Sequence, residues 1–382
     1  MKILHITPSY LPATIYGGPT FSVSRLCESL VSAGAQVRVL TTTANGKNEL
    51  DVLTGQSQPV HGVEVFYYPR LTKDHTHFSP QLLRQVWKQC RRFDAVHIHS
   101  WWNLVAVLSF LVCRIRGVRP IVSPRGMLSP YSKGAGRSLL KSAVFFLTKR
   151  QLERGAFLHY TSTQELEKSM VKARSFIAPN IVELPDFRPS PENARAEFRL
   201  CFLGRIDPVK GLESLFRSLP RLAFPWHLEI VGDGQKDYLQ SLKTLGSQLE
   251  IEKRISWAGW FSEGPKFDKI RSADLIVLLS RHENFANVVL ESLAVGTPVL
   301  LSDQVGLSDY VLENDLGWVT PLDQEKIAQT LETAFLDTEK RRRIREQAPG
   351  IIRRDFDAGK VAEGYLGAYM EVSKPSFHGK KK

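Results

Sequence analysis

LIVLLSRHENFANVVLESLAVGTPVLLS, residues 275–302, carries one full cycle of the alternation that decides the fold. LIVLLS is a short, unbroken apolar run and predicts a strand buried on both faces. RHENFA is the loop leaving its carboxyl end. NVVLESLAV has helical spacing and is stopped by Gly296, and TPVLLS returns as the next strand. Together they form a βαβ unit of a parallel sheet covered by helices.

The same rhythm extends in both directions. FRLCFLGRI, HLEIVGDG, RISWAGW, PVLLSD and GWVT read as further strands, with helices from about Gly211 and Gln235 between them. Upstream, KILHITP, QVRVLTT, VEVFYYP, AVHIHS and PIVSP read as strands, with helices at Phe21 to Ala33 and Pro80 to Arg92. PDFRPSPENA, residues 185–194, is proline-rich and aperiodic and reads as a linker. The expected architecture is therefore α/β with two doubly wound, Rossmann-like domains: 1–188, and 195–355. A last helix at about 358–372 is expected to pack back on the first domain, and the terminal HGKKK reads as a frayed tail.

The 382-residue chain is 43% hydrophobic and 24% charged, an ordinary globular composition long enough for two cores. Cys27, Cys90, Cys113 and Cys201 stand singly in apolar stretches without metal-ligand spacing, which fits a reducing compartment. MKILHITP holds too short an apolar run for a signal peptide, and no stretch is long enough to span a membrane. A cytoplasmic protein is expected. The net charge of +12 is placed unevenly: residues 1–190 carry 24 Lys/Arg against 11 Asp/Glu, and residues 191–382 carry 27 against 28. Arg114 to Arg154 alone holds ten basic residues and one acid, Glu153, a field that would draw anionic partners.

Ligands of open α/β sheets bind at the carboxyl ends of the strands. There the helix start offers the backbone N–H groups of Asn287 and Val288 and a positive dipole end, a seat for phosphate. Glu283 and Glu291 flank that seat. Carboxylates accept hydrogen bonds from paired hydroxyls, so the two acids suit a phosphorylated sugar, although a loop charge and a solvated helix residue would give the same letters. FLGRIDPVKGLESL, residues 202–215, ends a strand with Gly204 and places Arg205 and Lys210 where they could clamp a diphosphate and stabilise it as a leaving group. VGDG (231–234, with Gly232) and IYGGP (15–19, with Gly17 and Gly18) put small residues after strands, where backbone approaches a ligand or turns sharply. Trp260 follows a strand as a candidate neighbour of a nucleotide base, or as ordinary packing.

These pieces, in this order and spacing, resemble the retaining GT-B glycosyltransferases known as glycosyltransferase family 4: the Gly17-Gly18 loop, GRIDPVKG, VGDG, the Glu-x7-Glu pair in ENFANVVLE, and GTPVLLSDQVG. The resemblance spans nearly the whole chain. It implies two domains facing across a cleft and a nucleotide-diphosphate sugar as donor. Arg205 and Lys210 would contact the diphosphate, and Glu283, Phe285, Ala286, Asn287 and Val288 the sugar and phosphate. Glu291 would bind the ribose hydroxyls, and Gly17 and Gly18 would close over the phosphate from the other domain. It also implies transfer with retention, the acceptor hydroxyl attacking the face that the leaving phosphate vacates and the phosphate taking its proton. Arg205, Lys210 and Glu283 are the catalytic candidates. No separate cofactor is called for, and no metal if the two cations do the charge work; Asp355 and Asp357 in RRDFDAG read as helix capping.

Two places depart from the family pattern. Where many members carry a histidine near the reacting sugar this chain reads SPRGML, with Arg125, and IAPNIVEL has Ile181 where glycine is usual. Of His97 and His99 in AVHIHSWWN, which alternate with apolar residues on a strand, one could face the cleft while the other packs, and each reads more simply as a structural histidine; His99, at the strand end, is the better acceptor-side candidate beside Arg125.

KGAGRSLLKSAVFFLTKRQLERG, residues 133–155, aligns Leu139, Leu140, Ala143, Val144 and Leu147 on one arc of a helix with Lys141 and Lys149 off it. The arc suits either a core face or contact with an anionic membrane surface. The expected acceptor is accordingly a saccharide, lipid-linked or displayed at a membrane, as in surface polysaccharide or lipopolysaccharide synthesis. A nicotinamide oxidoreductase is disfavoured because no GxGxxG follows KILHITP. A sugar-nucleotide epimerase of the same shape stays open. A basic nucleic-acid-binding protein is the weaker alternative, since no recognisable module accompanies the charge.

Overall fold

The computed structural model describes residues 1–134, 138–185, 197–260 and 263–373. The chain divides into two compact units, Met1–Ile181 with Ala358–Lys382, and Val182–Asp357. Most of the segment read as a linker, 186–194, and the terminal HGKKK lie outside the described residues.

In the first unit the strands are β1 (Lys2–Ile6), β2 (Gln36–Thr42), β3 (Ala44–Asn45), β4 (Asn48–Glu49), β5 (Ser57–Val60), β6 (Val63–Tyr68), β7 (Ala95–His99), β8 (Ile121–Ser123), β9 (Phe157–Tyr160) and β10 (Ser175–Ile177). Eight form one sheet in the order β10-β9-β8-β7-β1-β2-β6-β5, parallel except where β5 meets β6, and β3 with β4 makes a small hairpin. Alternate residues of one strand feed opposite faces. Leu4 and Ile6 join a core with Val96, Ile98 and Phe110, while Ile3 joins a second core with Val37, Val39 and Val65. The C-terminal helix Ala358–Ser373 covers this second face beside the helix Gly18–Ser32, contributing Val361, Ala362, Tyr365 and Tyr369 to its core.

The second unit comprises β11 (Phe198–Leu203), β12 (Trp226–Val231), β13 (Ile255–Gly259), β14 (Leu275–Leu278), β15 (Val299–Ser302) and β16 (Gly317–Thr320), in the order β13-β12-β11-β14-β15-β16. Every neighbouring pair is parallel. This is the doubly wound order, with the reversal between β11 and β14 marking the edge where ligands bind. All four residues of β14, and all four of β15, are buried, as their unbroken apolar runs require for strands covered on both faces.

Candidate active site

Because the strands of the second sheet run the same way, the loops after β11, β12, β14 and β15 meet at one edge, where backbone contacts interlock them. The Ile206 N–H donates to the Asp233 carbonyl (2.8 Å), Arg281 N–H to Val209 (2.7 Å), Glu283 N–H to Gln304 (3.2 Å) and Gly306 N–H to Glu283 (2.8 Å). Two glycines are imposed by this closeness. Gly211 has φ +71° and a Cβ there would lie 1.9 Å from the Leu279 carbonyl oxygen; at Gly232, φ +153°, it would lie 1.9 Å from that of Gly204.

On this scaffold Asp207 caps a single 3-10 turn, Pro208–Lys210, by accepting the Val209 N–H (3.1 Å). The turn aims Lys210 at Glu283, and ammonium and carboxylate form an ion pair that is largely shielded from water. Arg205, from the same loop, is 67% exposed, its guanidinium 3.7 Å from the Asp207 carboxylate. The structure thus joins two of the expected site residues directly and leaves the second cation, Arg205, reaching into solvent.

The helix after β14 runs Asn287–Ala294 and starts without a side-chain cap. Its N-cap, Ala286, has φ 73° and ψ 78°, the left-handed region that an alanine adopts only under strain of about 1–2 kcal/mol. Phe285 anchors the kink, fully buried and edge-on to Phe356 at 6.3 Å between ring centres. The N-cap side chain is a methyl group and supplies no capping oxygen to the positive end of the helix dipole. Glu291, one turn in, is only 9% exposed and accepts a hydrogen bond from Lys266 Nζ at 3.0 Å. Lys266 lies on the helix Glu263–Ser272, beyond Trp260, which is 57% exposed. It was not foreseen from the sequence: nothing in EGPKFDKIRS marks it, and its contact with Glu291 exists only through tertiary packing. Asp355, read as a cap, accepts the Tyr310 hydroxyl (2.9 Å) and pairs with Arg354 (2.7 Å).

In the first unit Gly17 has φ 63° and is the N-cap of the helix Gly18–Ser32. His97 and His99, two apart on β7, share one face of the sheet with His5 of β1, its parallel neighbour. All three are buried. His5 Nδ1 and His99 Nε2 are 2.9 Å apart, and His97 Nδ1 lies 2.7 Å from the Tyr369 hydroxyl. So both histidines of β7 pack. Burial, reinforced by the positive charge of Arg125, lowers the His5 pKa to about 3; burial and its imidazole neighbours hold His97 well below the ordinary value, and burial and Arg125 do the same for His99. Ligand atoms of the three histidines fall within 4.8 Å of one another, a spread a divalent cation could gather, but the nearby guanidinium opposes a second positive charge.

Arg125 follows β8 with φ 51°, another strained left-handed residue at a strand end. Its Nη1 donates to the Ser22 hydroxyl (2.8 Å) and the Asn180 side-chain oxygen (3.3 Å), both neutral, and its Nε is buried without a hydrogen-bond partner. Burial pulls its pKa down from the usual guanidinium value. Glu165, held by the Gly126 and Thr161 N–H groups (2.5 and 2.8 Å), is pushed up by burial.

Residues 185–350 match the model of "Glycosyl transferases group 1" and residues 17–173 that of the "Glycosyl transferase 4-like domain". The chain belongs to the family 4 type of GT-B glycosyltransferases. It is 25% identical to the uncharacterized glycosyltransferase MJ1607 of Methanocaldococcus jannaschii over 97% of this chain and 98% of that one. It is 29% identical to the lipopolysaccharide core biosynthesis glycosyltransferase LpsE of Rhizobium meliloti over 45% of this chain and 49% of that protein. The solved structure of HepE from Anabaena in complex with UDP-glucose superposes with a TM-score of 0.76 at 20% identity, covering 97% of this glycosyltransferase and all of HepE, which shows the shared two-domain fold. Among the described residues, no helix of the enzyme is long and apolar enough to cross a membrane.

Proposed function

We propose that this glycosyltransferase moves a hexose-type sugar from a nucleotide-diphosphate sugar to a saccharide or lipid-linked saccharide acceptor, with retention at the anomeric carbon, in the synthesis of a surface polysaccharide or lipopolysaccharide on the cytoplasmic side of the membrane. The observation that carries the reading is the convergence, at the carboxyl edge of the second sheet, of Lys210 paired with Glu283, the exposed Arg205 and an uncapped helix start at Ala286. Such an edge answers the chief electrostatic demand of the reaction, the negative charge that builds on the departing diphosphate.

In this account the Lys210–Glu283 pair is the resting partnership. When the donor enters, Lys210 turns to the diphosphate oxygens together with Arg205 and the Asn287 and Val288 N–H groups, and Glu283 is released to the sugar hydroxyls. Glu291, oriented by Lys266, accepts the ribose hydroxyls. The acceptor hydroxyl attacks the face the phosphate leaves, and its proton passes to that phosphate. The cations carry the charge, so no metal ion is required. Arg125 and His99 sit on the acceptor side: Arg125 contacts the acceptor, and His99 holds the floor behind it.

The test is a thermal-shift screen of nucleotide sugars, since a ligand that prefers the native state raises its apparent stability. NMR of the product of the best donor then reads the anomeric configuration. Retained configuration in a transferred sugar supports the proposal; inversion overturns the mechanism, and isomerised donor without transfer points to an epimerase.

A further inference from the structure

The helix Ser138–Gly155 resolves the ambiguity of the basic segment. Its buried side is Phe145, Thr148 and Leu152, with the Phe145 ring 6.5 Å from that of Trp102. Of the apolar arc read from the sequence, Val144 packs against the core, whereas Leu139, Ala143 and Leu147 face outward. Leu139 is 88% exposed, Phe146 83% and Leu147 68%. Ala143, Arg150 and Arg154 are exposed as well. At 100° per residue, positions 139, 143, 146, 147, 150 and 154 fall within an arc of about 100°, opposite the buried side. The reason is the unbroken run AVFFL, 143–147, which makes both sides of the helix apolar where only one can be covered.

We infer that this face docks the enzyme on an anionic lipid bilayer. The choice of occupant follows from charge. The face is apolar toward its N-terminal end and basic toward its C-terminal end, and it carries no acid. Glu153, the one acid between Arg114 and Arg154, is half-buried and paired with Lys149 at 3.8 Å. Three large side chains standing out of the surface suit insertion among lipid chains, while the arginines suit headgroup phosphates; a polar protein partner would leave the apolar tips unsatisfied. The inference extends the lipid-linked acceptor reading, yet it is tested without donor or acceptor, so either can fail alone.

The experiment is co-sedimentation of the full chain with phosphatidylcholine vesicles, with and without roughly a third phosphatidylglycerol, alongside light scattering of the free protein. Binding to the anionic vesicles is expected to be at least about tenfold stronger than to neutral ones, at about fivefold per cation engaged. The triple variant Leu139→Ser, Phe146→Ser, Leu147→Ser should lose at least about tenfold in vesicle binding while keeping its nucleotide affinity. Arg150→Glu with Arg154→Glu should abolish the preference for anionic lipid. Equal binding to both vesicle types, binding unaffected by the triple variant, no binding at all, or a dimer that the triple variant disperses in place of vesicle binding would each overturn the inference.

Discussion

Lys210→Ala is the most informative single change at the donor edge, because one side chain holds two partners in turn. In the resting enzyme it neutralises Glu283 with both side chains less than a fifth exposed. Removing it leaves a largely shielded carboxylate without its cation, which costs the fold about 1–3 kcal/mol. For a unit the size of Val182–Asp357 that is a drop in Tm of about 2–4 °C per kcal/mol. In the transition state the loss is larger. A fixed donor aimed at developing charge is worth about 2.7–4 kcal/mol, so kcat should fall by about 10² to 10³, with a smaller effect on donor KM because the ground-state diphosphate keeps Arg205 and the helix start. Steady-state turnover at saturating donor and acceptor measures this, with Lys210→Ala/Glu283→Gln as control. The double variant should recover most of the lost Tm and none of the lost turnover. A kcat within about threefold of the wild type, or a defect confined to KM, would refute the role given to Lys210.

Three further outcomes are expected. Glu291→Ala should weaken nucleoside diphosphate binding by about 10- to 100-fold with a milder effect on turnover, as measured by calorimetry; unchanged affinity would remove Glu291 from the ribose site. Gly211→Ala should lower stability by about 2–4 kcal/mol by denaturant titration, since the new Cβ meets the Leu279 carbonyl. The buried imidazoles set the pH dependence: with the folded pKa of His5 and His159 near 3 and those of His97 and His99 also depressed, the unfolded chain takes up protons first as pH falls through about 6.5. Their contribution is present in full above that pH and is lost below it by up to about 1.4 kcal/mol per pH unit for each histidine, so Tm should drop steeply between pH 6.5 and 5; a flat profile there would show that these rings titrate freely.

The legible parts of this molecule were those written locally. The runs around β14 and β15 are apolar at every position because both faces of the sheet are covered, and such runs need no partner to be recognised. The positions of Glu283, Glu291, Arg205 and Lys210 were legible for a related reason: each lies within about one helical turn of a strand end or helix start. What escaped depended on contacts distant in sequence. Lys266 reaches Glu291 across 25 residues, and the His5–His99 contact arises from parallel pairing of strands 94 residues apart. The short β9 and β10 carry too few residues to show a period. The helix Ser138–Gly155 was ambiguous because two of its faces are apolar, and sequence alone does not say which one the Trp102 side covers.

The central claim is that Arg205 and Lys210 recognise a diphosphate, and titration of the nucleoside diphosphate of the donor chosen by the thermal-shift screen against its parent nucleoside tests it most directly. The wild type should bind the nucleoside diphosphate at least about 100-fold more tightly than the nucleoside, two charge-assisted contacts at about 1.5 kcal/mol or more each. In Arg205→Ala/Lys210→Ala that ratio should collapse while nucleoside affinity holds. A ratio that survives in the double variant, or an equal loss for both ligands, would contradict the account.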